Sequence, residues 1–244
     1  MKILAVDTST MSGSIAFLDG GNLAAEWTLG AAKTHNKRLL KSIEWLLGEV
    51  GWELESIDAF AAAAGPGSFT GLRIGMTSIK VVAWTLGKPY ASICSLDALA
   101  LPFCFSAHRI CALIDARKNE VYYAVYRPDT LGGLRLEIPY GAVSPSQLAK
   151  TLASSPGEPT IFCGDGFAPY KDVFKERLGE LAVEPPPSFH ILRAACVAEL
   201  AARRFAVGDS DDVKSSAPFY LRPSEAEINY PHLAEKSSGK PEII

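Results

Sequence analysis

The residues with the clearest capacity for chemistry are Asp7-Thr8-Ser9-Thr10, which follow a short apolar run at the start of the chain. A carboxylate there can position a hydrated cation, while hydroxyls and turn amides donate to phosphate oxygens. The same residues suit a tight turn equally well, with Asp7 and Ser9 binding backbone amides. A related turn, Asp115-Ala116-Arg117-Lys118-Asn119, lies about 110 residues further on. It puts alanine and a large arginine where a phosphate cradle needs small residues and open amides. One hydroxyl-rich turn is half a nucleotide site, so Asp7, Thr8, Ser9 and Thr10 read as a vestigial phosphate turn.

The run from Gly65 to Gly75, GPGSFTGLRIG, is a second place where chemistry is conceivable, since a helix start can hold an anion. It has no G-K-[ST], lacks the third glycine of a dinucleotide fingerprint and contains no G-x-S-x-G. The structural reading is favoured: Ser68 or Thr70 caps the helix, and Gly71 and Gly75 flatten one of its faces for close approach. His35, His108, His190 and His232 are scattered, with no H-x-x-x-H or H-E-x-x-H, so no metal site is expected. Cys94, Cys104, Cys111 and Cys163 lie among apolar residues, where a thiol behaves as a small hydrophobe. With no nucleophile–base pair in view, no catalytic residue is assigned.

These turns must be positioned by strands and helices that the patterning reveals. Apolar runs at 3–6, 14–18 and 23–29, with Asp19-Gly20-Gly21-Asn22 between the last two, predict an antiparallel meander. A helix over 34–50 follows, with Thr34 as its N-cap. At 100° per residue Leu39, Leu40, Ile43, Leu46, Leu47 and Val50 share one stripe, leaving Trp45 on the other side near Lys41 and Gly48. A strand at 59–64, a helix over 70–86 closed by Gly87, a strand at 90–93 and a short helix at 95–101 complete the unit. Strands at 109–114, 120–126 and 134–138 then repeat the opening, followed by a helix near 146–154, a strand at 160–163 and a helix near 192–207. The expected organisation is two lobes, 1–104 and 105–225, with an irregular polar tail over 226–244.

The chain has 244 residues, 48% hydrophobic and 21% charged, with a net charge of −3. That composition describes a folded domain with a substantial core and shows no basic excess of the kind that grips nucleic acid directly. Five cysteines without a C-x-x-C pair argue against a disulfide framework or a zinc ribbon. Asp7 interrupts the first apolar run too early for a signal peptide, and no run approaches the ~18 apolar residues of a membrane span. A cytoplasmic location, with no membrane partner, is the expectation.

The β-β-β-α-β-α-β order, given twice, is that of an actin-like, Hsp70-like (ASKHA) duplicated ribonuclease H-like α/β fold with two lobes. Four blocks make the resemblance specific: ILAVDTST at 3–10, HNKRLL at 35–40, GPGSFTGLRIG at 65–75 and DARKNEVY at 115–122. Together with weaker blocks at 164–166 and 219–223, they resemble the bacterial TsaB (YeaZ) family. Lys80-Val81-Val82-Ala83 departs from it, because the family commonly keeps a glycine after the lysine. The resemblance implies a non-catalytic partner subunit in forming N6-threonylcarbamoyladenosine at position 37 of ANN-decoding tRNAs. It would pair with the catalytic subunit TsaD, work with the ATPase TsaE, form a homodimer when alone and meet tRNA only through the complex. ATP would bind weakly or at a subunit junction, so no cofactor is assigned. The resemblance also implies that the 192–207 helix packs back on the first lobe. The catalytic paralogue's metal-binding histidines are replaced here by the stretch Ser95-Leu96-Asp97-Ala98-Leu99. A kinase of the same architecture and a glycoprotease-like peptidase are the alternatives. The expected partner surface comprises His35, Lys41, Trp45, Gly48, Gly71, Ile74, Gly75 and Val82. Trp45 beside small Gly48 suits an interface anchor, and the 70–86 helix is apolar almost all the way round.

Overall fold

The computed structural model describes residues 1–30, 35–129, 132–155 and 157–222, with side chains in the first helix from Leu39 onward. The Thr34 cap, the His35 side chain and the 226–244 tail therefore lie outside the described residues. The first lobe runs β1 (Lys2–Asp7), β2 (Gly13–Asp19), β3 (Asn22–Leu29), α1 (His35–Val50), β4 (Ala59–Gly65), α2 (Phe69–Leu86) and β5 (Tyr90–Cys94). After α3 (Ser95–Ala100), the second runs β6 (Arg109–Arg117), β7 (Glu120–Pro128), β8 (Leu134–Val143), α4 (Pro145–Ala153), β9 (Thr160–Cys163), α5 (Lys171–Leu178) and β10 (Ala182–Val183). Helix α6 (Ala194–Ala206) follows.

Strand order is β3-β2-β1-β4-β5 in one sheet and β8-β7-β6-β9-β10 in the other, so the duplicated topology is explicit. In each, two antiparallel hairpins precede parallel pairing with the strands reached through helices. Strand alternation decides what each face meets. From β1, Ile3 and Ala5 face the second lobe, where they join Ile110, Ala112 and Ile114 of β6 in one apolar cluster with α3 and α6. Leu4 and Val6 face the other way, against Leu39, Ile43, Leu46 and Leu47 of α1 and Met76 and Ile79 of α2. From β6, Cys111 and Leu113 pack outward with Leu148 and Leu152 of α4 and Phe174 of α5. Each Leu, Ile, Val, Met or Phe among these contributes roughly 1.5–3 kcal/mol on full burial.

Helix α6 returns to the first lobe and lies on β1, β2, β4 and β5. Its small residues Ala194, Ala198 and Ala201 are fully buried and let the backbone approach the sheet closely. The lobe it returns to also caps it: Ala194 N donates to Ser14 Oγ at 2.8 Å and Ala195 N to Glu26 Oε1 at 3.1 Å. The amides at a helix start need such partners, and here the first lobe supplies them. Asp97 of α3 ties the helix to the second sheet, accepting from Tyr126 at 2.6 Å and Tyr140 at 2.9 Å. No helix among the described residues is long and apolar enough to cross a membrane.

Candidate functional site

Between the lobes lies a cleft of about 530 Å³. Ser9, Thr10 and Met11 of the β1–β2 turn and Gly67 to Thr70 at the head of α2 form one wall. Ile114 to Lys118, Tyr122 and Asp165 form the other, and Tyr220 and Arg222 stand at the mouth. The sequence thus places its two candidate turns on opposite walls of one cavity.

The first turn spends Asp7 Oδ1, Thr8 Oγ1 and the Ser9 backbone on the chain itself, while Asp7 Oδ2 and Ser9 Oγ are buried without a hydrogen-bond partner among the described residues. Asp7 is fully buried, and its Oδ1 accepts from Ser9 N at 2.9 Å, which is the backbone-binding role the turn geometry offers. Thr8 Oγ1 donates to Gly71 O at 2.7 Å, and Ser9 O accepts from Ser68 N at 2.7 Å. Ser68 caps α2, its hydroxyl accepting from Gly71 N. Thr10 remains at the cleft, its hydroxyl 3.0 Å from that of Ser12. Burial, opposed by the Ser9 contacts, pushes the Asp7 carboxyl up to about 7, and nearby Asp165 adds to the rise. Asp165, itself raised by burial, accepts from Asp115 N at 3.1 Å.

Across the cleft Arg117, Lys118 and Asn119 all take left-handed backbone angles, with φ of 63°, 53° and 59°. Arg117 pairs with Asp115 at 3.1 Å and extends a second nitrogen to within 3.8 Å of Met11 Sδ. The arginine therefore reaches across the cleft to the opposite turn. Burial raises the thiols of Cys94, Cys111 and Cys163, and that of Cys196 to about 12, so none is poised as a thiolate. Among the described residues no group of three His, Cys, Asp or Glu side chains could hold a metal ion.

The expected partner surface divides. Trp45 is 52% exposed and Lys41 and Gly48 are exposed beside it, as the spacing along α1 predicts. Gly71 and Gly75, expected on the partner surface, do not belong to any outer surface. Both are buried, and a Cβ on Gly71 would fall 2.0 Å from Thr8 O and one on Gly75 2.3 Å from Thr8 Oγ1. The face they flatten receives the chain's own first turn. Ile74 and Val82 are half-buried and pack on the first-lobe core. Val82 nevertheless joins Leu40, Leu47, Gly48 and Trp52 in lining a groove of about 560 Å³ between the helices.

Residues outside the expected set complete the picture. Leu40, Val81 and Trp84 are 57, 53 and 62% exposed, although each is strongly apolar. Helical spacing already separates Val81 and Trp84 from the glycine face. Tyr220 and Arg222 reach the cleft from a segment with no periodicity, and only the short block at 219–223 points to them.

Comparison with known proteins gives a consistent answer. The family model described as "TsaD: tRNA N6-adenosine threonylcarbamoyltransferase" matches residues 29–230. The Bacillus subtilis "tRNA threonylcarbamoyladenosine biosynthesis protein TsaB" is 30% identical over 94% of this chain and 98% of its own. The structure of YeaZ from Pseudomonas aeruginosa superposes with a TM-score of 0.76 at 31% identity, covering 90% of this chain and 99% of that one. In fold alone, the chain is also similar to the Acidaminococcus fermentans (R)-2-hydroxyglutaryl-CoA dehydratase component A. That match has a TM-score of 0.51 at 13% identity over 84% of this chain and 99% of that one. A duplicated actin-like architecture, the DTST and GPGSFTGLRIG blocks, and about 30% identity over nearly the whole length of the TsaB and YeaZ relatives lead to one conclusion: the chain belongs to the TsaB (YeaZ) family of tRNA threonylcarbamoyladenosine biosynthesis proteins.

Proposed function

We propose that this chain is the non-catalytic partner subunit of the complex that forms N6-threonylcarbamoyladenosine at position 37 of ANN-decoding tRNAs. It docks on the threonylcarbamoyltransferase TsaD, works with the ATPase TsaE, forms a homodimer when alone and meets tRNA through the complex in the cytoplasm. The observation that carries the partner role is the outer surface of α1 and α2. Leu40, Trp45, Val81 and Trp84 are all more than half exposed there, on helices whose opposite sides already fill the first-lobe core. Large aromatics left in water next to a groove are the residues that anchor interfaces.

The chain supplies no catalytic group and no nucleotide site of its own in this reading. Support comes from Arg117 leaning across to Met11, from Thr8 Oγ1 and Asp7 Oδ1 being engaged by the chain, and from cysteines held as thiols. The same outer surface serves the homodimer and TsaD, so the two associations compete.

The test is Trp45→Glu in the full chain, with affinity for purified TsaD and sedimentation of the chain alone as readouts. Both associations should weaken by roughly tenfold or more, a loss of about 1.4 kcal/mol per factor of ten, with circular dichroism unchanged. Unchanged TsaD affinity would place the docking surface elsewhere.

A further inference from the structure

Residues 209–222 follow α6 with hardly any regular structure, yet they are fastened along their whole length. Asp211 N donates to Tyr90 O at 2.8 Å, adding one residue to the edge of β5, while its carboxylate receives Ser92 N and pairs with Arg204 at 2.6 Å. Ser216 shares a 2.7 Å hydroxyl contact with Ser92, and its carbonyl receives Lys80 Nζ from the middle of α2. Phe219 N donates to Ala64 O at 2.7 Å at the end of β4. There the segment leaves one lobe for the other. Phe219 meets Tyr140 of β8 edge-on at 5.5 Å, and Arg222 pairs with Glu120 of β7 at 2.9 Å. Between these, Tyr220 stacks on Phe69 at 5.1 Å and accepts from Arg73 Nε at 3.1 Å, so it grips the first turn of α2.

We propose that residues 209–222 form a strap that joins the head of α2 to the β6–β7 hairpin, so that the two walls of the cleft move together and the position of α2 is set by both. Three features favour this over a passive tail. The contacts alternate between lobes within four residues, from Phe219 to Arg222. The aromatic grip falls on the helix end that forms one wall of the cleft. Lys80 adds a second hold further along the same helix, whose later residues Val81 and Trp84 are exposed. Fastening α2 at its head and middle to a segment that also holds the second lobe links the cleft to the α2 surface mechanically. The link to partner binding rests on the docking reading above, whereas the link between the walls does not.

Hydrogen–deuterium exchange on the full chain tests it, with Tyr220→Ala as the main variant and Tyr220→Phe as the milder one. Tyr220→Ala should speed exchange about tenfold or more in both 66–76 and 115–123, with α4 unchanged. Tyr220→Phe, which keeps the stack and loses the Arg73 bond, should shift the same two regions less. Faster exchange confined to 217–222 in either variant would overturn the strap. If Tyr220→Ala does not fold, Tyr220→Phe and Arg222→Gln decide the matter on the same two regions. In wild-type protein, added TsaD should slow exchange at 115–123, and Tyr220→Ala should abolish that slowing. Slowing that persists in Tyr220→Ala overturns the coupling to the docking face. Failure of wild-type protein to bind TsaD would instead count against the docking reading and leave the exchange comparison to decide the strap.

Discussion

The β1–β2 turn and the β6–β7 turn occupy equivalent places in the two copies of the fold, yet they have opposite fates. The first is buried from Asp7 to Ser9: Gly67 and Gly71 bring the head of α2 so close that a Cβ on either would collide with Ser9 O or Thr8 O. The second stands free of its following helix. In that lobe the crossover after β9 presses on strand β6 itself, with a Cβ on Gly164 falling 1.9 Å from Leu113 O, and residues 117–119 project beyond it. There the chain accepts three successive left-handed residues, each costing roughly 1–2 kcal/mol, and carries an exposed arginine. One topology therefore yields a packed turn where a long helix leans on it and a strained, charged turn where none does. Duplication preserved the frame and left each turn to its own neighbours.

The contrast can be broken most directly at Gly71. Gly71→Ala should cost at least about 3 kcal/mol in denaturant unfolding, because its Cβ meets a backbone carbonyl that cannot swing away. Gly48→Ala on α1, where nothing lies within 4 Å, should instead gain about 0.5–1 kcal/mol, and equal effects would erase the packed-turn account.

A second effect, dependent on pH, should come from Asp7. Its folded carboxyl titrates near 7, against an ordinary value of 3.8, so folding favours the protonated form. That contribution is complete below about pH 4 and is lost as pH rises towards 7, a separation of about three pH units worth roughly 4 kcal/mol at most. Asp7→Asn should therefore raise the melting temperature at pH 8, with the gain fading towards pH 5. A gain that is independent of pH would show that Asp7 is already ionised in the folded turn.

The smallest signal concerns the cleft between the turns. Titration calorimetry of the isolated chain with Mg-ATP should show no micromolar binding, and steady phosphate release should be absent. Either result in the other direction would mean that Arg117 yields its place to a nucleotide.

Much of this frame was legible in residue patterns. The hairpin of Asp19-Gly20-Gly21-Asn22, the Gly87 stop of α2 and most of the apolar stripe of α1 follow local rules that the fold obeys, whereas Leu40, expected on that stripe, lies at its margin and is 57% exposed. The spacing of Gly71 and Gly75 showed that something approaches closely. It could not show what, because the approaching Thr8 is over sixty residues away and bonds through a single hydroxyl. α5 and β10 complete the second copy but escape patterning: in α5 only Phe174 is fully buried, and β10 has two residues. The strap was invisible for a related reason. Its contacts run through backbone amides and isolated side chains, such as Phe219 on Ala64, and a non-repeating segment leaves no period to detect.

The return of α6 to the first lobe has a consequence during synthesis. The sheet face carrying Ile3, Ala5 and Ala61 is made early, whereas the helix whose amides Ser14 and Glu26 receive is made after the whole second lobe. A ribosome thus releases the first lobe with part of that face uncovered, and final docking waits for contacts between the two ends of the chain. Such long-range closure is slow and exposes apolar surface to aggregation in the meantime. For this family member, the time between emergence of the first sheet and emergence of residue 206 is when a chaperone, or an early-bound partner chain, has most to protect.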